Sequence, residues 1–276
     1  MIKQATLYFF ILPLIMIAAS PIFLFAGTGL NDVHRVDLQG RSLVTAPNTT
    51  VVPGAGPPLI LKVEMPNLLI QKSPIQPSHG TILIFPGGGY QVLAIQHEGI
   101  TVADLLNSQG YDTAILEYSI GGSDAREQAL GDAIKAVKLI QGQAADLGIN
   151  ASSLGLMGFS AGGHLAARLL HELGSPSPFS QIILIYPAYL NAPSGILPEV
   201  TPPKGVRCKT FVLIGAMDKP EWVSSAAAYV KVSKANAQVA EFHLLPDVGH
   251  GFGIQAGQSG VIATWPSLLE NFLSKK

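Results

Sequence analysis

The chain has 276 residues, of which 13% are charged, and its formal net charge is -1. A chain of this length can bury one large core, and α/β folds of this size commonly form a single domain. The sparse, nearly balanced charge lacks the basic surface that nucleic-acid binding requires, so no nucleic-acid partner is expected. Cys208 is the only cysteine, which excludes an internal disulfide and a cysteine-rich metal site.

The N-terminal segment is uncharged over residues 7–27, after Lys3. A basic start, an apolar stretch and small residues such as Ala18 and Ala26 are typical of a cleaved export signal. The segment also has the roughly 20 apolar residues that a membrane span needs, so an uncleaved anchor is the alternative. A buried core helix is disfavoured by the position at the terminus. We therefore expect the remaining chain to be secreted, periplasmic or anchored to a membrane by this segment alone.

Residues 28–57 lack a periodic apolar pattern and contain the string TAPNTTVVPGAGPP. Its proline and glycine spacing predicts a linker with room for one short strand. The folded domain is therefore expected over residues 58–276. The longest irregular stretch inside it, residues 187–209, holds five prolines. We interpret this stretch as a rigid loop or a short lid, because long loops of this kind are often functional.

Apolar runs alternate with amphipathic stretches through the rest of the chain. The predicted strands lie at residues 59–65, 81–86, 112–118, 153–158, 181–187, 210–216 and 240–246. The predicted helices lie at about residues 96–108, 126–146, 161–174, 221–236 and 261–274. Strands that are apolar throughout are typical of a sheet buried on both sides. The pattern therefore predicts an α/β fold with a mostly parallel sheet and helices on both faces.

One serine, Ser160, lies between two glycines and is followed by small residues in the stretch MGFSAGGH, residues 157–164. Gly158 to Gly162 match the pattern G-x-S-x-G, which presents a nucleophilic serine at a sharp turn from a strand to a helix. An apolar run precedes this motif and an alanine- and leucine-rich helix follows it, as the pattern requires. The alternative is a helix N-cap serine, whose hydroxyl would accept a bond from a backbone N–H.

A serine nucleophile needs a base to take its proton and an acid to orient that base. In this architecture the partners follow in the order Ser, Asp or Glu, His. Asp218 comes just after an apolar strand, and His250 lies in a glycine-flanked loop after the next strand. Parallel sheets place ligands at these strand ends. Asp247 is the rival acid, but a residue so close to His250 is expected to shape its turn.

Six other histidines compete with His250 for the role of base. His164 and His171 are seven residues apart on one predicted helix, whereas two histidines that bind one metal ion from a helix are typically four residues apart. His97 lies beside Glu98 at a helix start and is a candidate substrate contact. His34, His79 and His243 lie in loops or in a strand. No metal site and no metal or organic cofactor are expected.

The glycine run in FPGGGYQ, residues 85–91, follows a predicted strand. Backbone without β-carbons can approach a developing oxyanion closely and donate N–H groups to it. This architecture takes one oxyanion donor from this loop and the other from the residue after the nucleophile, here Ala161. A phosphate-binding loop is excluded, because it would end in Gly-Lys-Ser or Gly-Lys-Thr.

Together these motifs resemble the esterase and lipase group of the α/β-hydrolase fold, over about residues 58–276. Within that group the chain is similar to carbohydrate acetyl esterases and to bacterial enzymes of the acetylxylan esterase or xylanase-like type. The resemblance rests on FPGGGYQVLAIQHEG, GFSAGGHLA, GAMD and VGHGFG. It implies an eight-stranded sheet. Pro86 stands where related lipases have a histidine before the glycines.

By this resemblance Ser160, Asp218 and His250 form a catalytic triad, and the oxyanion donors are Gly88, Gly89 and Ala161. Tyr90 and His97 are candidate contacts for the substrate, with plain packing as the alternative for each.

The expected activity is hydrolysis of a short acyl ester through an acyl-enzyme. Low charge and the lack of a large inserted lid favour a small acyl group such as acetate, which a carbohydrate could carry. The alternatives are a peptidase or amidase that uses the same triad, and a binding module that keeps the fold without catalysis.

Overall fold

The structure is a computed structural model that describes residues 33–51, 56–190, 200–236 and 239–275. Residues 1–27, expected to be an export signal or an anchor, lie outside the described residues, so export stays a prediction. Residues 191–199 of the proline-rich loop also lie outside them. Within the described ranges, no helix combines the length and the apolar character that crossing a bilayer demands.

Nine strands of the described chain form one sheet in the order β11-β10-β9-β8-β6-β7-β5-β1-β2, and two more, β3 and β4, form a separate pair. Their bounds are β1 His34–Asp37, β2 Ser42–Leu43, β3 Thr49–Val51, β4 Leu59–Lys62, β5 Asn67–Gln71, β6 Thr81–Phe85, β7 Asp112–Glu117, β8 Leu154–Phe159, β9 Phe179–Ile185, β10 Lys209–Gly215 and β11 Ala240–Leu245. The sheet thus has nine strands where the resemblance implied eight. The α/β class and the mostly parallel sheet are confirmed.

The helices occupy the amphipathic stretches that the sequence predicts. They are α1 Thr101–Ser108, α2 Ala125–Leu147, α3 Ala161–Leu173, α4 Pro220–Asn236 and α5 Trp265–Leu273. A turn of π-helix, Gln96–Ile100, leads into α1, and a 3₁₀ turn, Gly260–Thr264, leads into α5. These turns account for the first residues of the two predicted helices at 96–108 and 261–274.

The parallel half of the sheet consists of β6 to β11, whose neighbouring strands all pair in parallel. Every residue of β6, β7 and β8 is buried. Because side chains alternate between the two faces of a strand, full burial means that both faces are covered, and this explains the continuous apolar runs. Parallel strands also end at the same edge, so the loops after β6, β8, β10 and β11 gather there.

The antiparallel margin of the sheet consists of β5, β1 and β2. Two of these strands, β1 and β2, lie within residues 28–57, which were expected to form a linker. That expectation is wrong for the described part of the segment, because β1 pairs along its whole length with β5. The predicted strand at 59–65 also differs, because Leu59–Lys62 pairs with β3 outside the main sheet. β5 itself was not predicted.

A buried ion pair holds this margin to the parallel half. The Arg35 guanidinium donates to Glu117 across 2.8 Å, and the side chains of both residues are buried. The side-chain amides of Asn48 and Asn67 donate to the other carboxylate oxygen, at 2.5 and 2.8 Å. Polar partners from β1, from the residue before β3 and from β5 therefore satisfy a carboxylate in β7. Such networks depend on long-range pairing, which a local sequence pattern does not reveal.

Candidate active site

Ser160 lies at the sharp turn between β8 and α3, with φ 51° and ψ -116°. This sparsely populated backbone conformation is typical of functional sites. The flanking glycines let the turn close, because a β-carbon on Gly158 would meet the carbonyl oxygen of Gly162, and one on Gly162 would meet that of Phe85. The Ser160 hydroxyl makes no N-cap bond to α3. The N-cap alternative is therefore not what the structure has.

The Ser160 hydroxyl lies 2.6 Å from Nε2 of His250, and Nδ1 of the same ring lies 2.6 Å from Oδ2 of Asp218. Asp218 is buried, and its other oxygen accepts from the backbone N–H of Lys219 at 2.7 Å. Asp247 is exposed and has φ 56°, which places it in the turn before His250 and not against the ring. The structure thus brings together the three side chains that the sequence analysis selected.

The loops that carry Asp218 and His250 are joined by backbone hydrogen bonds. The N–H of Met217 donates to the carbonyl of Val248 at 2.9 Å, and that of Ala216 donates to Leu245 at 2.8 Å. A β-carbon on Gly215 would meet the Val248 carbonyl, so close packing requires glycine at the end of β10. The acid and the base are consequently fixed relative to each other by the backbone.

Aromatic rings hold the imidazole of His250 from two sides. The ring of Trp222 packs at 4.7 Å between centroids, and that of Tyr186 at 5.0 Å in an edge contact. The His250 side chain is 30% exposed. The imidazole therefore keeps a fixed orientation while it remains open to solvent on one side.

The glycine run lies directly against the serine. A β-carbon on Gly87 would come within 2.9 Å of the Ser160 β-carbon. None of the hydrogen bonds among the described residues uses the amides of Gly88 or Gly89. Ala161 is the first residue of α3, and its amide has no acceptor inside the helix. Three backbone N–H groups at this edge are thus available as donors, which is the arrangement that oxyanion stabilisation requires.

Glu98 is buried beside this loop and was not predicted to take part in the site. One carboxylate oxygen accepts from the amide of Gly87 at 2.7 Å, and the other accepts from the hydroxyl of Tyr186 at 2.8 Å. Burial raises the pKa of Glu98 to about 7, although the Tyr186 and Gly87 bonds and the nearby His250 oppose the rise. The sequence signal that could have found it is its position in the HEG triplet, shortly after the glycine run.

The two candidate substrate contacts are both enclosed by protein. Tyr90 is 2% exposed, and its hydroxyl lies 2.8 Å from Nδ1 of His164. His97 is 9% exposed, and burial lowers its pKa. This burial favours the packing alternative for Tyr90 in particular. Tyr186 and Trp222, which touch the base, were missed because the aromatic residues follow ordinary strand and helix patterns.

His164 lies within the core on α3, where burial lowers its pKa to about 3 and keeps the ring neutral. Across the described ranges, no group of three or more His, Cys, Asp or Glu side chains is placed to hold a metal ion.

Comparison with protein families gives a match to a model described as the alpha/beta hydrolase fold, over residues 82–206. This range includes the glycine run and Ser160. The chain is 36% identical over 118 residues to an acetylxylan esterase of Xylanibacter ruminicola, a match that covers 41% of this chain and 24% of that protein. It is 31% identical over 108 residues to endo-1,4-beta-xylanase B of Butyrivibrio fibrisolvens, covering 38% of this chain and 17% of that protein. The chain thus spans less than a quarter of either relative.

Solved structures agree with this fold over most of the chain. An alpha/beta hydrolase enzyme from a Medee basin deep-sea metagenome library is 25% identical with a TM-score of 0.63, and the match covers 82% of this chain and 96% of that one. An acetyl ester-xyloside bifunctional hydrolase from Caldicellulosiruptor lactoaceticus is 25% identical with a TM-score of 0.60, covering 76% and 87%. A thermophilic esterase of Thermogutta terrifontis, solved with propionate bound, has a TM-score of 0.63 at 20% identity, covering 82% and 93%.

Proposed function

The chain has the α/β-hydrolase fold, and on that premise we propose that it is a serine carboxylic ester hydrolase. The observation that carries the proposal is the continuous hydrogen-bonded series from the Ser160 hydroxyl through His250 to the buried Asp218 carboxylate. A serine hydroxyl is a weak nucleophile until a base is placed to remove its proton. A hydrogen bond of 2.6 Å to Nε2 of His250 meets that requirement.

In the proposed reaction His250 takes the proton of Ser160 as its oxygen attacks the ester carbonyl. Asp218 accepts the bond from Nδ1–H, which fixes the tautomer and stabilises the imidazolium that forms. The oxyanion accepts bonds from the free amides of the glycine loop and from the amide of Ala161, which are present before the reaction starts. His250 then gives the proton to the departing alcohol. Water repeats the sequence on the acyl-enzyme and releases the acid.

The substrate class that we propose is a short acyl ester, with acetyl as the acyl group and a carbohydrate as the alcohol. Two of the similar proteins support this choice by their names, the acetylxylan esterase and the acetyl ester-xyloside bifunctional hydrolase. The sparse charge of the chain suits a neutral substrate. The proposal concerns ester hydrolysis at this site alone, because the chain covers 24% or less of each of these two longer relatives.

Replacing the nucleophile tests the proposal. Ser160→Ala should lower kcat for p-nitrophenyl acetate by at least about 10⁴-fold, because no other group supplies the attacking oxygen. The matched control is Ser152→Ala, which removes an exposed hydroxyl from the turn before β8 and should keep full activity. Retention of activity in Ser160→Ala would overturn the proposed nucleophile.

The substrate class is tested by acetate release from acetylated xylan and acetylated oligosaccharides, compared with p-nitrophenyl butyrate and an aminopeptide substrate. We expect acetyl esters to be cleaved and the peptide to be left intact. Faster cleavage of the peptide would instead favour the peptidase alternative. Absence of Ser160 labelling by a fluorophosphonate would favour a binding module.

A further inference from the structure

Glu98 joins the two loops that surround the reacting atoms, and its role is not explained by the triad. We propose that Glu98 is a positioning residue that holds the glycine loop and the His250 loop in their reactive arrangement, and that only its carboxylate form does so. The inference rests on the proposed serine hydrolase function. It concerns a residue whose hydrogen bonds, within the described part of the chain, go to Gly87 and Tyr186 and not to the three triad side chains.

The first loop is held at Gly87. The Gly87 amide donates to Oε2 of Glu98 at 2.7 Å, and the Gly87 carbonyl accepts from the amide of Ala94 at 3.0 Å. Both backbone polar groups of Gly87 are therefore fixed by the segment that leads into α1. Gly88 and Gly89 follow immediately, so the direction of their N–H groups depends on how Gly87 is held.

The second loop is held through Tyr186. The Tyr186 hydroxyl donates to Oε1 of Glu98 at 2.8 Å and accepts from the amide of Gly253 at 2.8 Å. Gly253 lies three residues after His250, and the Tyr186 ring packs edge-on against the imidazole. The backbone adds a further link, because the amide of Ile254 donates to the carbonyl of His97 at 2.8 Å. One carboxylate thus reaches the oxyanion loop with one oxygen and the base loop with the other.

The pattern of donors requires a carboxylate. An ionised glutamate accepts at both oxygens, whereas a protonated one carries a hydrogen on one of them. A hydrogen on Oε2 would face the Gly87 N–H. A hydrogen on Oε1 would face the Tyr186 hydroxyl, whose own hydrogen would then lose its acceptor. Protonation therefore removes the charge that strengthens both bonds, and it reverses or displaces the bond at the oxygen that carries the hydrogen.

The surroundings make protonation accessible. Among the described residues, Glu98 has one ion-pair contact, at 3.9 Å to Nε2 of His97. Burial lowers the pKa of His97, so it favours the neutral imidazole, which carries no charge to stabilise the carboxylate. The other titratable groups that face the carboxylate are Tyr186, Tyr118 and His250. The burial that raises the pKa of Glu98 to about 7 places its titration inside the range of an ordinary assay.

The test is Glu98→Gln, assayed with p-nitrophenyl acetate across pH. A glutamine amide puts N–H groups against one of the two donors, so one link is lost at every pH. We expect kcat to fall by about 10- to 100-fold with KM changed by less than about threefold, because small misplacement of catalytic groups affects the chemical step.

The pH dependence of kcat/KM distinguishes a positioning role of Glu98 from a purely structural role. In the parent protein both His250 and Glu98 must lose a proton, so the acid limb of log kcat/KM against pH should approach a slope of about two. In Glu98→Gln the slope should be about one. The matched control is Glu117→Gln, which alters a second buried glutamate away from the site and should keep the steeper limb. Tyr186→Phe removes the hydroxyl bonds to Glu98 and Gly253 and leaves the bond between Glu98 and Gly87. It should also lower kcat and serves if Glu98→Gln does not fold.

The outcomes distinguish this inference from the proposed function. Loss of activity in Ser160→Ala, together with an unchanged kcat and an unchanged slope in Glu98→Gln, would overturn the role of Glu98 and leave the hydrolase intact. Full activity in Ser160→Ala would overturn both. A lower kcat and a shallower limb in Glu98→Gln, with neither change in Glu117→Gln, would support the inference.

Discussion

Glu98 and Glu117 are both buried carboxylates, yet they are satisfied in different ways. Glu117 in β7 has a guanidinium partner, Arg35, and two side-chain amides. Glu98 has a backbone amide and a phenol, and its pKa is raised to about 7 by burial. The first arrangement compensates a charge and ties the antiparallel margin to the parallel half. The second arrangement does not compensate the negative charge of Glu98, so ionisation of this carboxyl costs free energy. Glu98 lies where the loops of the candidate active site meet.

This difference suggests which region carries stability and which carries function. Networks that are fully paired make a fold specific, whereas groups that oppose stability concentrate at functional sites. Changes at the Glu117 network should therefore lower the free energy of unfolding while folded molecules stay active. Changes around Glu98 should lower activity and alter the dependence of stability on pH.

The largest effect on stability is expected from Arg35→Met. Removing one partner of a buried ion pair leaves an uncompensated charge and typically costs about 3–5 kcal/mol. The free energy of unfolding from urea titration should fall by about that amount. At a temperature where the variant is folded, kcat should match that of the parent protein, because Arg35 lies in the margin and not at the site edge.

The double variant Arg35→Met with Glu117→Gln completes this test. Since it removes the charge together with its partner, it should recover part of the lost stability. A double variant that is less stable than Arg35→Met would show that the cost comes from packing or from Asn48 and Asn67 and not from the unpaired charge. A large loss of kcat in either variant would contradict the division between the two regions.

A second prediction concerns the pH dependence of stability due to Glu98. Its pKa is about 7 in the folded protein against the ordinary value of 4.5, so the folded state keeps a proton that the unfolded chain has released. The free energy of unfolding should therefore fall as the pH rises from about 5 to about 8, by roughly 3 kcal/mol from this group. Glu98→Gln lacks that contribution, so the difference between parent and variant should change over the same window.

The difference between parent and variant is the quantity to measure, because other groups titrate as well. His164 has its pKa lowered to about 3, so its contribution has the opposite sign and increases stability as the pH rises toward 6.5. Subtraction removes this common term. A parent-minus-variant difference that stays constant from pH 5 to 8 would show that Glu98 is ionised at no unusual cost.

The residues that form the site differ in how visible they are in the sequence. Ser160, Asp218 and His250 each follow an apolar strand, and parallel strands end at one edge, so local patterns suffice to bring them together. The helices were also predicted closely, and the apolar periodicity is strong in α1, α3 and α5. Glu98 was missed since its partners, Gly87 and Tyr186, are brought to it only by the fold.

The antiparallel margin was missed for a related reason. β1 and β2 are short, and their sequences, HRVD and SL, are mostly polar, so no apolar period marks them. They form because β5 offers an edge for pairing and because Glu117 draws Arg35 to it. β4 was expected in the main sheet on its pattern alone, but its partner is β3. Strand character is a local property, whereas the choice of neighbour is not.

The smallest effect is expected from the exposed pair between α2 and α3. Arg168 donates two bonds to Glu127, at 2.9 and 3.1 Å, and the Glu127 side chain is 70% exposed. Glu127→Gln should lower the free energy of unfolding by no more than about 1 kcal/mol, because water screens the pair. The loss should shrink further in 1 M salt. Although α3 begins directly after Ser160, kcat should stay unchanged. A loss comparable to that of Arg35→Met would mean that burial is not what separates the strong charge pairs of this protein from the weak ones.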